Sequence, residues 1–282
     1  MLLTNTNINT LPFYSNLSEQ WHKQPYSTYH HIFTPTNSLL PFQLATTNMS
    51  SSIVVTLYDR LGNSLGVLNN ADIGIAAKSY TTYQVVYCTG KIKDGLFTSG
   101  NRYYISVKVG TGITAAYFYS DLFEANEYVS DMVKIQYWNL QDIDFGDYKI
   151  FSGTNRGYFQ FNHYVGTEIG KPTYPFQNYI SQREMYNFPL KMISNKQYTF
   201  PLIVTEPQMD ALRLLAISDK IAIAFKSNTY KVLWIEFSDI EWNDDGVGTL
   251  DATFTVNSVV NRFVQAKPTR GDFNVDFNND FL

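Results

Sequence analysis

The eight residues Arg102–Val109 (RYYISVKV) constrain the fold of this chain more than any other stretch. Strict alternation puts Tyr103, Ile105, Val107 and Val109 on one face of an extended strand, and Tyr104, Ser106 and Lys108 on the other. A helical period would mix the two sets. Gly110-Thr111-Gly112 then gives a short hairpin connection, and Ile113–Tyr119 (ITAAYFY) returns as the partner strand. Comparable runs precede this hairpin. Ile53–Tyr58 (IVVTLY) is β-branched and ends in the turn-like residues 59–66 (DRLGNSLG); Val67-Leu68 starts a return. Tyr80–Cys88 (YTTYQVVYC) is another strand-like run, closed by Thr89-Gly90. Strands broken by turns every ~8–12 residues predict a β-sandwich of the immunoglobulin-like kind over residues 41–125. The Cys…Trp…Cys core of true immunoglobulin domains is absent, since Cys88 is the single cysteine.

The texture changes after residues 121–131 (DLFEANEYVSD). Met132–Trp138 (MVKIQYW) reads as a strand, and Thr167–Asn178, with Pro172 and Pro175, as a long loop. Met185–Ile193 and Gln197–Val204 read as two further strands. One helix is predicted, Glu206–Ile217. Thr205 and Gln208 form a T-x-x-Q capping box, Glu206 complements the positive end of the helix, and Pro207 is tolerated in its first turn. Met209, Leu212, Leu215 and Ala216 face the core. Ile221–Phe225, Tyr230–Phe237 and Thr249–Val256 close the pattern as a meander. Residues 131–265 are thus expected to form an α+β domain with an antiparallel sheet and one packed helix, making the whole chain mainly β.

Composition bears on what such sheets do. The chain has 282 residues, 16% charged and 16% aromatic, with 21 Tyr and 20 Phe. A typical soluble domain is roughly 25% charged. Few ions and many rings suit polar, uncharged sheet faces and protein–protein interfaces. Formal net charge is −4, and the Lys and Arg residues form no stripe, so no nucleic-acid footprint is expected. A lone cysteine allows no internal disulfide and suits assembly in a reducing cytoplasm. The first ten residues lack a basic n-region and an apolar h-region, so no signal peptide is expected. No apolar run approaches ~18 residues, and no membrane insertion is expected.

Residues 1–40 are polar, Pro-punctuated and carry scattered rings. They read as an extended arm packed on its own domain or on a neighbouring subunit. Residues 266–282 read as a C-terminal tail that orders on a partner. Phe13, Tyr14, Trp21, Tyr26, Tyr29, Phe33, Phe273, Phe277 and Phe281 are the candidate interface anchors.

Constellations that would carry chemistry are weak. Asp142, Asp144 and Asp147 around Gly146 suit an acidic turn better than a Ca²⁺ loop, because no bidentate Glu follows in register. Asp272, Asn274, Asp276 and Asn278 imitate the start of an EF-hand, but Phe277 stands where that loop needs Gly. His22, His30 and His31 cannot easily share one ion, since adjacent strand residues point apart. Arg270-Gly271-Asp272 is too short a match to carry weight. Glu168, Glu184, Glu206 and Glu241 form no acid–base motif, and neither nucleophile elbow nor phosphate loop occurs. No catalytic residue, cofactor or metal is assigned, and the expectation is a non-enzyme. Trp21, Trp138, Trp234 and Trp242 are the residues that could stack on sugars; Trp138 and Trp234 lie in apolar strands and read as core, leaving Trp242, beside an acidic turn, as the candidate for ligand stacking.

The segment order resembles virion structural proteins from phages and prophages of gut Bacteroidetes, including the crAss-like group. The resembling parts are RYYISVKV…AYFYSDLFE, then MVKIQYWN, then EPQMDALRLLAIS with its closing meander, over roughly residues 50–265. The resemblance implies a tail, baseplate or head–tail-connector component, made in the host bacterial cytoplasm and located in the virion. Its partners would be copies of itself in a homo-oligomeric ring and other virion structural proteins. A carbohydrate-binding or receptor-binding adhesin module is the alternative.

Overall fold

The computed structural model describes residues 9–20, 32–127, 132–139, 143–145, 148–150, 161–165, 169–183, 186–226, 228–244 and 246–263. In the first half the strands are β1 (Phe13–Tyr14), β2 (Ile32–Pro35), β3 (Phe42–Thr46), β4 (Ile53–Asp59) and β5 (Ser64–Leu68). The one-turn helix α1 (Asn70–Ile73) follows, then β6 (Ile75–Ser79), β7 (Gln84–Cys88), β8 (Arg102–Val109), β9 (Ala116–Ser120) and β10 (Phe123–Asn126). They form two sheets. One runs β5-β4-β8, with β9-β1 and β10-β2 both on the far side of β8; the other is β3-β7-β6.

Strand β8 has the predicted bounds, and its alternation places the core. Tyr103, Ile105, Val107 and Val109 are buried in a cluster with Phe42, Leu44, Val86 and Cys88 of the small sheet. This is a β-sandwich. The far edge of β8 is shared: β9 pairs with residues 106–109, and β10 with 102–103. At the corner between them the Ser120 hydroxyl accepts the Ile105 N–H at 3.0 Å.

The small sheet looks both ways. Phe42, Leu44, Val86 and Cys88 enter the first core, while Val85 enters a second core with Ala45, Tyr83 and Tyr87 packed beside it. Period-2 alternation thus makes this sheet a wall between two cores.

The second core belongs to β11 (Val133–Trp138), β14 (Phe161–Val165), β16 (Tyr186–Thr205), helix α2 (Glu206–Leu212), β17 (Lys220–Phe225), β18 (Asn228–Phe237) and β20 (Val247–Phe263). The hairpin β12 (Ile143–Phe145) and β13 (Tyr148–Ile150) is separate; β15 (Phe176–Arg183) and β19 (Glu241–Trp242) join the large sheet. Its order is β14-β11-β17-β18-β20-β16-β15. Tyr198, Phe200, Leu202 and Val204 of β16 face inward with Leu250, Ala252, Phe254 and Val256 of β20. The Phe200 and Phe254 rings stack at 5.0 Å. Helix α2 begins with the capping box of Thr205 and Gln208 and continues as a 3-10 turn to Ile217. Leu212, Leu214 and Leu215 press onto the sheet, and Tyr137 donates to the Ala211 carbonyl at 3.3 Å.

The structure corrects several sequence expectations. Of the two placements expected for the N-terminal arm, residues 9–20 and 32–40 take the first, on their own domain, and as paired strands and core residues instead of a loose layer. Leu11, Phe13, Ile32, Leu39 and Leu40 are buried in the first core, β1 pairs with β9, and β2 pairs in parallel with β10. Strand β6 was not anticipated, and Tyr80–Tyr83 is a turn with stacked rings rather than the start of β7. The last three residues of the expected loop 167–178 belong to β15, which starts at Phe176. The two strands expected on either side of residue 195 are one, β16, with a register shift between Ser194 and Lys196. Its two prolines fit their places. Pro189 lies at the second irregularity, next to Tyr179/Ile180, and Pro201 lies where β16 has β20 on one side and no strand on the other among the described residues.

Burial pushes the Cys88 thiol up to about 12, and its S–H donates to the Ile73 carbonyl at 3.1 Å. The folded protein is therefore expected to resist an aromatic disulfide reagent at pH 8. Val85→Ala and Val86→Ala touch different cores through one strand, and each is expected to cost about 2 kcal/mol. Both should lower one shared unfolding transition, read by denaturant titration, and both should speed Cys88 modification. Two separate transitions would show that the wall does not couple the cores.

Candidate interaction surfaces

The anchors expected from the sequence divide three ways. Phe13 is 5% exposed and its ring lies 4.6 Å from that of Phe42, so it is spent within the chain's own core. Tyr14 and Phe33 are half-buried on β1 and β2, and the Tyr14 hydroxyl contacts the Asp121 carboxylate at 3.4 Å. Trp21, Tyr26, Tyr29, Phe273, Phe277 and Phe281 lie outside the described residues, as do His22, His30, His31, Asp142 and Asp147. His163 is buried in β14, opposite Ile135. Among the described residues no three His, Cys, Asp or Glu side chains come together as a metal site would require.

Trp242 is 48% exposed on β19. Its ring lies across Gly248, where a Cβ would meet the Ile240 side chain at 2.7 Å and the Trp242 ring at 3.0 Å, so both pack closely on bare backbone. Trp234, read from the sequence as core, is 38% exposed. The cause is the register shift between Val232 and Trp234, which turns Val232 inward and Trp234 out.

The outer face of the first sheet is built of tyrosines. Registry aligns Tyr58 with Tyr104, Ser106 with Tyr119, Lys108 with Tyr117, and Tyr119 with Tyr14. The Tyr58 and Tyr104 rings stack at 4.9 Å; those of Tyr117 and Tyr119 lie parallel at 6.4 Å. The Lys108 ammonium sits 5.5 Å from the Tyr117 ring centre. Tyr117 and, on the edge strand β5, Val67 are exposed. Such a face offers flat apolar area and phenol hydroxyls at low entropic cost, a combination suited to contact surfaces. Burial, then Tyr58, Asp59 and Tyr119, raise the Tyr104 phenol above its ordinary value; burial, then Tyr58 and Tyr117, raise Tyr119.

A second aromatic group sits at the large sheet. The Lys196 ammonium lies 5.1 Å from the centres of both the Tyr198 and Tyr230 rings. Phe225 packs against the same two rings, at 5.0 and 5.3 Å. Tyr174 and Phe176, each 61% exposed, precede and open β15 nearby: Thr173 bridges to Gln197, and Phe176 pairs with Ser194. Phe225 also lines a groove of about 460 Å³ between the halves, together with Pro35, Glu127, Met132, Lys134 and Tyr164. Lys134 lies 5.7 Å from the Tyr164 ring centre. Burial lowers the Lys134 ammonium below its ordinary value and pushes the Tyr164 phenol up to about 12.

The last surface is main chain. Strand β18 covers β20 only as far as Val256, and β20 runs on to Phe263. Beyond that point β15, β16 and the end of β20 form a narrow ribbon, and among the described residues neither outer edge has a strand partner. At roughly 3.3 Å per residue the 20 residues of β16 extend about 65 Å. The sequence signals for the ribbon were split by Pro189 and by the shift at Asn195. Unbroken alternation across residues 176–205 was the one pattern that could have revealed it.

No protein-family model matches this sequence, and comparison with curated proteins finds no relative.

The tyrosine face yields a direct check. With Tyr58→Phe, the ionisations of Tyr104 and Tyr119 are expected to move down toward the ordinary tyrosine value, because one neighbouring phenolate is removed from each. Site-resolved ¹³C NMR of labelled tyrosine rings measures this, and unchanged midpoints would mean that Tyr58 does not act on the other two phenols.

Proposed function

We propose that this chain is a structural protein of a bacteriophage particle, in the tail, baseplate or head–tail connector, forming a homo-oligomeric ring with no catalytic role. The observation that carries this reading is the β15–β16–β20 ribbon, which extends past the sheet body with two edges that have no strand partner among the described residues. Unpaired edges invite a strand from another chain, and natural folds left uncovered at such edges aggregate unless they are blunted or used. Repeating one such head-to-tail contact about an axis closes a ring. The tyrosine face and the low charge supply a second, side-chain surface for neighbours. The sequence resemblance to Bacteroidetes phage virion proteins supports the same setting.

The experiment is a mass-spectrometric inventory of purified particles with copy number per virion, joined to native mass spectrometry of the purified chain. A fixed multiple of copies in the particle and a closed oligomer in solution are expected. Excising residues 179–191, the far part of the ribbon hairpin, should leave the two cores folded by circular dichroism and reduce the oligomer to monomers. A full-length chain that stays monomeric at all concentrations and is absent from particles would overturn the proposal.

The alternative of a glycan-binding adhesin draws on the exposed Trp242 ring over Gly248. On that reading Trp242→Ala abolishes binding on a glycan array, and an array without hits for the unaltered protein rules it out.

A further inference from the structure

The strand directions of the ribbon limit how two copies can join. Strand β15 is antiparallel to β16, and β16 is antiparallel to β20, so β15 and β20 run the same way at the ribbon's two margins. Their levels match. Through β16, Phe176 of β15 stands level with Val260 of β20, and Tyr179 stands level with Phe263. A bulge opens the β20 margin: the four steps from Val256 to Val260 face only two from Lys196 to Ser194, and β18 stops pairing at Val256. Bulges end pairing, and they recur at sheet edges and barrel rims. Neither margin carries the prolines or lysines that blunt a solitary edge. Phe176–Arg183 and residues 257–263 hold no proline and one charged residue each, Arg183 and Arg262. Three strands are also too few to close on themselves, since small barrels need about five to eight.

We propose that the β20 margin of one copy pairs in parallel with the β15 margin of the next, so that the ribbons join into one β-barrel with three strands from each copy. The inference rests on the assembly reading above and names its contact. Rotation about a ring axis preserves the sense of every strand along that axis. Two ribbons standing side by side in a ring therefore meet with β20 and the neighbour's β15 running alike. A two-fold dimer instead sets β20 against β20, or β15 against β15, and both of those contacts are antiparallel. A short parallel ladder is within the means of this chain, because β2 and β10 already form one from Ile32–Pro35 and Phe123–Asn126. At about six copies the barrel reaches roughly 18 strands, the size that encloses a water-filled channel.

The test co-expresses two full-length forms with different tags, each with one added cysteine, and treats the purified oligomer with a short bis-maleimide. The first form carries Val260→Cys or Phe263→Cys. The second carries Phe176→Cys, Tyr179→Cys or Gln182→Cys. The native Cys88 is buried and stays silent. Positions three residues apart are separated by roughly 10 Å along a strand, which gives the scan its resolution. Links are expected between the first form and the second. Exchanging position 260 for 263 should move the best-linked β15 position toward the C-terminus, with that pair several-fold above the others. Movement toward the N-terminus, links only between copies of the same form, or a folded oligomer without links overturns the pairing. Links that emerge only after residues 266–282 are deleted overturn it as well, because the tail then occupies the margin. Circular dichroism checks the fold of each form, and Asn257→Cys replaces a β20 variant that disturbs it. Where the pairing fails and native mass spectrometry still finds the oligomer, the assembly reading stands without it; a chain that is monomeric throughout removes both.

Discussion

Everything in this molecule is organised around the small sheet β3-β7-β6. A strand has two faces, and here both are buried, one against each core. Val85 and Val86 are chain neighbours, yet they serve opposite cores because successive side chains of a strand point apart. A one-residue slip in the pairing of β7 would exchange these sets and put Tyr87 where Val86 fits. Register is accordingly pinned from outside the sheet. The Asn9 side chain donates to the Gln43 carbonyl at 2.9 Å and accepts its N–H at 2.7 Å, acting as a further strand residue on β3. The next residue, Thr10, donates to the Asn162 carbonyl at 2.7 Å and so ties the same segment to β14 of the second half.

With one sheet serving two cores, each of the two larger sheets keeps an outward face. On the first sheet that face is phenolic, and on the second it carries Trp234, Ile203 and threonine pairs such as Thr199 with Thr253 at 2.8 Å. Neither is crowded with charge. A sheet that displays rings and hydroxyls keeps water at modest cost and gives it up at modest cost, because no ion need be stripped of its hydration. The ribbon adds an element of another kind, since among the described residues its two edges carry main-chain donors and acceptors without a strand partner.

The parts that could be read from the sequence share a physical trait: their signal is local. Strand β8 has its expected bounds because one residue type alternates with another inside eight positions. The capping box of α2 is legible because Thr205 and Gln208 are three residues apart and satisfy each other's backbone groups. Trp234 was misread for the complementary reason. Its apolar neighbours suggest a core strand, and only the register shift against β20 turns it outward. Of the candidate anchors, Phe13 has the same appearance in sequence whether it meets its own core or another subunit; Phe42 on β3, 29 positions away in the chain, decides it.

The amino-acid order by itself determined a mainly β chain with a sandwich first and one capped helix in an α+β half, because strand period, turn residues and helix caps act between residues a few positions apart. It also determined the scarcity of ions and the wealth of rings. Only the tertiary structure decided that residues 9–20 and 32–40 belong to the first core, that one small sheet divides two cores, and that β15, β16 and β20 run on together as a ribbon. Those outcomes depend on pairings between residues tens to more than a hundred positions apart, and the energy of such a pairing exists only once both partners have been brought to the same place.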